Sequence, residues 1–459
     1  MTPIDQNIEQ LIVAPEKGTH IYFIGIGGIG MSALARYFLA RGCVVSGYDK
    51  TETALTKKLV EEGIRVHYVD DINLFDHKAS LVIYTPAVPG NHIGLQYASR
   101  DGFRLLKRSE VLGVLSRNSF NISVGGSHGK TTVTSMIAWI LKHSEYDCTA
   151  FLGGICTNFQ SNFVAGENDV TVTEADEFDR SFLRLSPDIS VITAVDSDHL
   201  EIYGSQREIE NAFIEFANKT SASGQVIVKF GLPIQAFITI PVHTYALDDA
   251  RADLYVQEYS VSEEGSKVLL NNGMRYTLQY HGVHNIENSV AAASVALLLG
   301  ISADAIADAL NTFKGIYRRF DVQVRNAKTV YIDDYAHHPE EIKMFLGSVR
   351  KIYPGRQITA IFQPHLFTRT RDLADGFARS LEAADEIILL PIYPAREQPI
   401  PGVTSEIIAE RMHTKHVQVM SKEALIEHIK TTPMHIVCTI GAGDIDNLVQ
   451  PIARILEKA

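Results

Sequence analysis

Two glycine-rich loops, each set between a short apolar run and a helical stretch, constrain this chain more than any other feature. "FIGIGGIG" covers Phe23 to Gly30 and "GGSHGKTT" covers Gly125 to Thr132. A strand that ends in glycines and turns directly into a helix aims backbone N–H groups and the positive end of the helix dipole at one spot, which favours an anion. Parallel α/β sheets are built from such units. The flanks agree: "HIYFIG", Gly28 to Arg41, "CVVSGYD", Thr51 to Glu62 and "LVIYT" read as strand, helix, strand, helix, strand.

The second loop opens a new unit. "NISVGG" reads as its strand and Lys130 to about His143 as its helix, followed by strands at "DVTVTEA" and "ISVITAV" and a helix from Ser205 to Asn218. Between Gly224 and His281, short β-like segments with polar turns suggest an antiparallel insert, and His284 to Gly300 reads as a helix. "GIYRRFD" reads as a hinge. Beyond Val322 the alternation resumes with "TVYIDDY", Glu341 to Ile352, "ITAIFQ", Thr370 to Ala383, "EIILLPI" and "HIVCTIGAG". The expected fold is therefore α/β in three domains: a Rossmann-like one over 1–108, a central P-loop ATPase-type one over 109–320 and a second Rossmann-like one over 321–459.

Bulk composition excludes several classes. A net charge of −12 with scattered Lys and Arg argues against nucleic acid as the main partner. The run "VAAASVALLL" is too short to span a bilayer, so no membrane is expected. "MTPIDQNIEQ" lacks the basic-then-apolar profile of a secretion signal, and Cys43, Cys148, Cys156 and Cys438 form no CxxC pair, which together point to reduced thiols in a cytoplasmic protein.

In the first loop Gly25, Gly27 and Gly30 match G-x-G-x-x-G, and Asp49 ends the next strand, where an acid can bind a ribose hydroxyl. The alternative is glycines that serve tight packing alone. In the second, Gly126, Gly129, Lys130 and Thr131 give G-x-x-G-K-T, shorter than the common P-loop but with the same physics: N–H groups line an anion, Lys130 neutralises β/γ oxygens, and Thr131 can ligate Mg²⁺. "TEADEFD" then supplies Glu174, Asp176 and Glu177 after one strand, and "VDSDH" supplies Asp198 and His199 after another. Strand ends of one sheet converge on one crevice, so these acids reach the same edge as the lysine. A solvated acidic loop and a structural histidine are the plainer readings. An NAD-dependent dehydrogenase and a nucleotide-binding regulator are rival functions; the first leaves both acidic segments unexplained.

Taken in order, "GGSHGKTT", "TEADEFD", "VDSDHLEIYG", "HGVHNIENS", "YRRFD", "DDYAHHPEE" and "QPHLFTRTRD" resemble the Mur ligase family, from about His20 to Asp444. Within it the likeness is greatest to the alanine-adding branch. The resemblance implies an ATP- and Mg²⁺-dependent amide-forming ligase of peptidoglycan precursor synthesis, acting on UDP-N-acetylmuramate and L-alanine through an acyl phosphate, as a monomer or weak homodimer. It places the UDP-sugar at Gly25, Gly27, Gly28, Gly30, Asp49 and His67. It places ATP at Gly126, Ser127, His128, Gly129, Lys130, Thr131 and Thr132, with His284, Asn285 and Asn288 at the adenine and Arg319 and Asp334 also at the nucleotide. Thr131, Glu174 and His199 would hold the metal, and His337, His365 and Arg369 would face the amino acid, joining Lys130 and His199 as the catalytic set.

At Leu366 this branch commonly carries arginine, which leaves Arg369 or Arg371 to supply that cation. The alternative branch joins a murein tripeptide to the same sugar nucleotide. It usually reads "EPRS" and "EYDH" where this chain has Gln363, Pro364 and His365, and Ser197 before Asp198.

Overall fold

The computed structural model describes residues 5–196, 200–395, 397–414 and 416–458. After α1 (Gln6–Val13), the first sheet is formed by β1 (His20–Ile24), β2 (Val44–Tyr48), β3 (Arg65–His67), β4 (Leu81–Tyr84) and β5 (Leu105–Lys107), all parallel in the order β3-β2-β1-β4-β5. Its helices are α2 (Ile29–Ala40), α3 (Ala54–Glu61) and α4 (Ile93–Arg100). Helix α3 starts later than the apolar pattern suggests because Thr53 caps it, its hydroxyl accepting from Thr56 N–H. A parallel sheet covered on both faces buries nearly every residue, and Ile21, Tyr22, Phe23 and Ile24 are at most 1% exposed.

Helix α5 (Arg108–Arg117) leads into a second sheet of ten strands. These are β6 (Phe120–Gly125), β7 (Thr149–Cys156), β8 (Ser161–Val164), β9 (Val170–Glu174), β10 (Ile189–Ile192), β11 (Gln225–Lys229), β12 (Val242–Ala246), β13 (Leu254–Ser262), β14 (Gly265–Leu270) and β15 (Arg275–Leu278). Their order is β15-β14-β13-β12-β11-β10-β6-β9-β7-β8. The helices between them are α6 (Lys130–His143), α7 (Leu200–Tyr203) and α8 (Gln206–Asn218), with α9 (Val283–Leu298) and α10 (Ala303–Asn311) following β15. The expectation of an antiparallel insert is corrected at its start: β11, β12 and β13 each pair parallel with the preceding strand and simply extend the sheet. The hairpin of β7 and β8 is antiparallel.

The third sheet comprises β16 (Asp321–Arg325), β17 (Val330–Asp334), β18 (Ile358–Phe362), β19 (Glu386–Leu389), β20 (Val417–Val419) and β21 (Ile436–Ile440), in the order β16-β17-β21-β18-β19-β20. All pairs but β16–β17 are parallel. Its helices are α11 (Pro339–Ile352), α12 (Phe367–Leu381), α13 (Glu406–Ala409), α14 (Lys422–Thr431) and α15 (Asp446–Leu456).

The chain divides into two compact units. One is Met1–Glu258 with Val268–Tyr276 and Glu287–Phe313; the other is Tyr259–Lys267 with Thr277–Ile286 and Lys314–Ala459. Within the first unit, α2 lies on the β7–β8 hairpin. Tyr37 meets Phe151 and Phe163 with ring centroids 5.7 and 6.2 Å away, and the buried Arg36 guanidinium donates to Asn162 while forming a two-point pair with Glu62 at 2.7 and 3.0 Å. Among the described residues no helix is long and apolar enough to cross a membrane. All four cysteines are free and buried.

Candidate active site

The first unit carries both glycine loops. At the earlier one, Gly25 adopts φ 87° and Gly28 precedes the first turn of α2. Gly27 donates its N–H to Asp49 Oδ2 at 2.7 Å, and any Cβ there would strike that carboxylate. Asp49 also accepts from Thr51 N–H, so it fixes the loop as well as standing at the strand end where a ribose is expected. The loop closes on Gly30, whose missing side chain leaves room for Arg108. His67 at the end of β3 is engaged at both nitrogens: Nδ1 donates to Val69 O at 2.9 Å and Nε2 accepts from Tyr22 Oη at 2.8 Å. Burial lowers its pKa, so it offers a neutral ring face.

The P-loop is the more tightly built. Gly126 at φ 140° passes so close to Thr193 and Ala194 that a Cβ is excluded. Gly129 at φ 82° caps α6, and a Cβ there would lie 2.6 Å from Asn288 Oδ1, which puts that α9 residue, expected at the adenine, beside the loop. Ser127 accepts from Asp196 N–H at 2.8 Å, and His128 Nε2 lies 3.6 Å from Asp196 Oδ2. Thr131 and Thr132 are buried in the first turn of the helix at 1% and 3% exposure.

Lys130 donates to Gly126 O at 2.7 Å, Ser127 O at 3.4 Å and Glu177 Oε1 at 2.8 Å. Burial works against its charge, but the carboxylates of Glu177, Glu174 and Asp176 outweigh that and raise its pKa. Pairing of Val124 with Glu174 sets that carboxylate one strand over from the loop. Gly153 makes space for it, since a Cβ would overlap its oxygens, and Glu174 Oε2 is buried with no hydrogen-bond partner. A buried carboxylate oxygen left so is costly unless a cation meets it, which is the donor chemistry a magnesium ion uses. His199 and Asp198 lie outside the described residues.

The second unit gathers the remaining candidates. Asp334 at the end of β17 accepts from Phe320 N–H at 2.7 Å and Ala336 N–H at 2.8 Å, yet burial pushes its pKa up to about 7. His284 is driven down to about 4 by burial and by Arg319, so its ring is neutral. Asn285 Nδ2 donates to His281 O at 2.6 Å at the start of α9. His337 Nδ1 lies 3.1 Å from Tyr335 O and 3.4 Å from Glu341 Oε2. The His337 and His365 ring centroids are 6.3 Å apart, and His365 stacks on Tyr393 at 5.7 Å.

Helix α12 begins at Phe367, three residues before the expected start, which brings half-buried Arg369 into its first turn. Arg371 is exposed and pairs with Asp372 at 2.7 Å. Leu366 is itself buried at φ 69°, its N–H donating to Tyr393 O.

Sequence profiles match along most of the chain: the Mur ligase family catalytic domain over residues 20–120, the Mur ligase middle domain over 124–296, and the Mur ligase glutamate ligase domain over 318–443. A UDP-N-acetylmuramate–L-alanine ligase of Flavobacterium johnsoniae is 45% identical over 451 residues, covering 96% of this chain and 98% of the relative. The chain belongs to the Mur ligase family. A second such enzyme, from Porphyromonas gingivalis, is 42% identical with 95% and 99% covered. Among solved structures, the UDP-N-acetylmuramate-alanine ligase of Thermotoga maritima superposes with a TM-score of 0.81 at 28% identity, covering 96% of this chain and 98% of that one. A murein peptide ligase from Psychrobacter arcticus shares the fold, with a TM-score of 0.71 at 23% identity over 96% and 99%.

Several contacts within this Mur ligase escape the motifs. Thr193 donates to His128 O and to Gly125 O, tying the P-loop to the strand beside it. Arg318 is buried at φ 61° between Asp333 at 3.0 Å and Gly441 O at 2.7 Å. The "YRRFD" segment showed the arginine pair but not which one turns inward.

Proposed function

We propose that this chain is an ATP-dependent ligase that joins L-alanine to the carboxylate of UDP-N-acetylmuramate in peptidoglycan precursor synthesis. One observation carries the reading: relatives named for that reaction align with this chain from end to end at 42–45% identity. Three domains, 1–108, 109–320 and 321–459, then divide the work, consistent with one sheet in each. The UDP-sugar belongs at Gly25, Gly27, Gly28, Gly30, Asp49 and His67.

The triphosphate belongs at the loop from Gly126 to Thr132, with His284, Asn285, Asn288, Arg319 and Asp334 around the rest of the nucleotide. Magnesium would be held by Thr131, Glu174 and His199. Bound there, it supplies charge neutralisation where two anions must meet. The unpartnered Glu174 oxygen supports that placement.

A carboxylate is a poor electrophile, and transfer of the γ-phosphoryl group makes it an acyl phosphate that an amine can attack. Lys130 spreads the negative charge that develops on the transferring group. The amine must be neutral to attack. His337 and His365 stand together, ring centroids 6.3 Å apart, as the side chains to take its proton. Arg369 supplies a cation for the amino acid's carboxylate.

The deciding assay is phosphate release from ATP with UDP-N-acetylmuramate, screened across L-alanine, glycine, L-serine and the murein tripeptide. Release with L-alanine is expected; release with the tripeptide alone would overturn the assignment in favour of the peptide-joining branch.

A further inference from the structure

Arg108 belongs to neither glycine motif, yet it touches the first. It opens α5 and fills the space left by Gly30. With Gly28, Thr85, Asp176 and Phe178 it lines a cavity of about 210 Å³ at the first turn of α2. Its Nη2 donates to Asp176 Oδ2 at 2.9 Å. The very next residue, Glu177, accepts from Lys130 at 2.8 Å. Two adjacent carboxylates therefore occupy one cation beside the first anion-binding loop and one cation within the second.

The turn behind them is tightly tethered and locally strained. Phe182 N–H donates to Asp176 O at 2.9 Å, Arg180 N–H to Glu177 O at 3.0 Å and Tyr203 Oη to Glu177 O at 2.7 Å. Asp179 and Arg180 are both left-handed, at φ 54°. Successive non-glycine residues hold that conformation only where their surroundings impose it, and such segments are common at switches. An anion arriving at either cation competes with one carboxylate, and because the two share a peptide unit, displacing one shifts the other.

We propose that Arg108 binds an anionic group of the UDP-sugar and that Asp176 and Glu177 form a relay through which the sugar nucleotide and ATP strengthen each other's binding. This rests on the functional reading above. The relay works in both directions, since coupling free energy between two sites is reciprocal.

The test is calorimetric titration of UDP-N-acetylmuramate into the full chain, with and without a saturating non-hydrolysable ATP analogue. The wild type should bind the sugar about fivefold or more tightly with the analogue present. Asp176→Asn should bind it without analogue as the wild type does with it, and Glu177→Gln should do the same for the analogue, so that both coupling ratios fall to near one. Arg108→Ala should weaken the sugar about tenfold or more and, because it also releases Asp176, should leave affinity for the analogue alone no weaker than in the wild type. Arg108→Lys, which keeps the charge, should recover part of the loss and carries the test if the alanine variant does not fold.

UDP-N-acetylglucosamine separates the two possible anions. Equal losses for both sugars assign the contact to the diphosphate; a loss for the muramate alone assigns it to the lactyl carboxylate. Wild-type coupling retained in Asp176→Asn, or wild-type sugar affinity in both Arg108 variants, would overturn the proposal while leaving the function standing. A wild type that binds ATP analogue but no UDP-sugar would overturn both.

Discussion

Lys130 and Glu177 form a buried ion pair, with side chains 15% and 5% exposed, and removing one member leaves the other charge without its counter-ion. That loss costs about 3–5 kcal/mol where a buried pair is broken one-sidedly, and much less when both members go. Lys130→Ala should therefore abolish phosphate release and also lower the unfolding free energy by about 3 kcal/mol, of which Lys130→Ala/Glu177→Gln should regain roughly half without regaining activity. Urea denaturation of the two variants checks this; equal stabilities would show that the pair is not what holds Glu177 in place. The lysine was legible because a P-loop fixes its place on the helix. Its partner was not, because "TEADEFD" offers three acids in four residues. Only the turn after β9 decides that Glu174 stays beside Val124, Asp176 meets Arg108 and Glu177 comes back to the lysine.

At the scale of elements, strand–loop–helix units are written locally and strand direction is not. The helix Lys130 to His143 follows from its pattern, since a glycine cap and an apolar stripe are both visible in sequence. The β11-to-β13 region misled because alternation looks alike in parallel and antiparallel strands, and its connections are short. Between β11 and β12 only a 3₁₀ turn, Pro233–Phe237, intervenes, where a helix crossover normally signals a parallel pair. The seating of α2 on the hairpin was equally hidden, because Arg36 and Asn162 are far apart in sequence. Asn162 is 0% exposed and donates to Ile29 O and to Ser32 Oγ while accepting from Arg36. Asn162→Ala leaves the guanidinium one partner short in a buried setting, so a loss of about 2–3 kcal/mol is expected. Urea unfolding followed by tryptophan fluorescence measures it, and a change below about 0.5 kcal/mol would mean the network is idle.

The whole molecule offers a built-in reporter, because its one tryptophan, Trp139, lies on α6, the helix that the P-loop opens. Its indole donates to Ala309 O at 2.9 Å and Thr312 Oγ1 at 3.2 Å, all within the first compact unit, so its fluorescence follows the unfolding of that unit. A ligand that binds only the folded state adds stability as RT ln(1 + [L]/Kd), about 2.7 kcal/mol at a hundredfold excess over Kd. A non-hydrolysable ATP analogue at that excess should raise the tryptophan-detected unfolding free energy by about that amount, and Lys130→Ala should erase the gain. His284, Arg319 and Asp334 belong to the second unit, which lacks a tryptophan and needs a separate probe. Amide hydrogen exchange along β17 provides one: if Asp334 and its neighbours hold part of the nucleotide, the analogue should slow exchange there as well, and Asp334→Ala should cancel that protection while the tryptophan shift persists in part. Slowed exchange in β17 with no movement of the tryptophan transition would place the triphosphate away from Lys130 and refute the P-loop assignment.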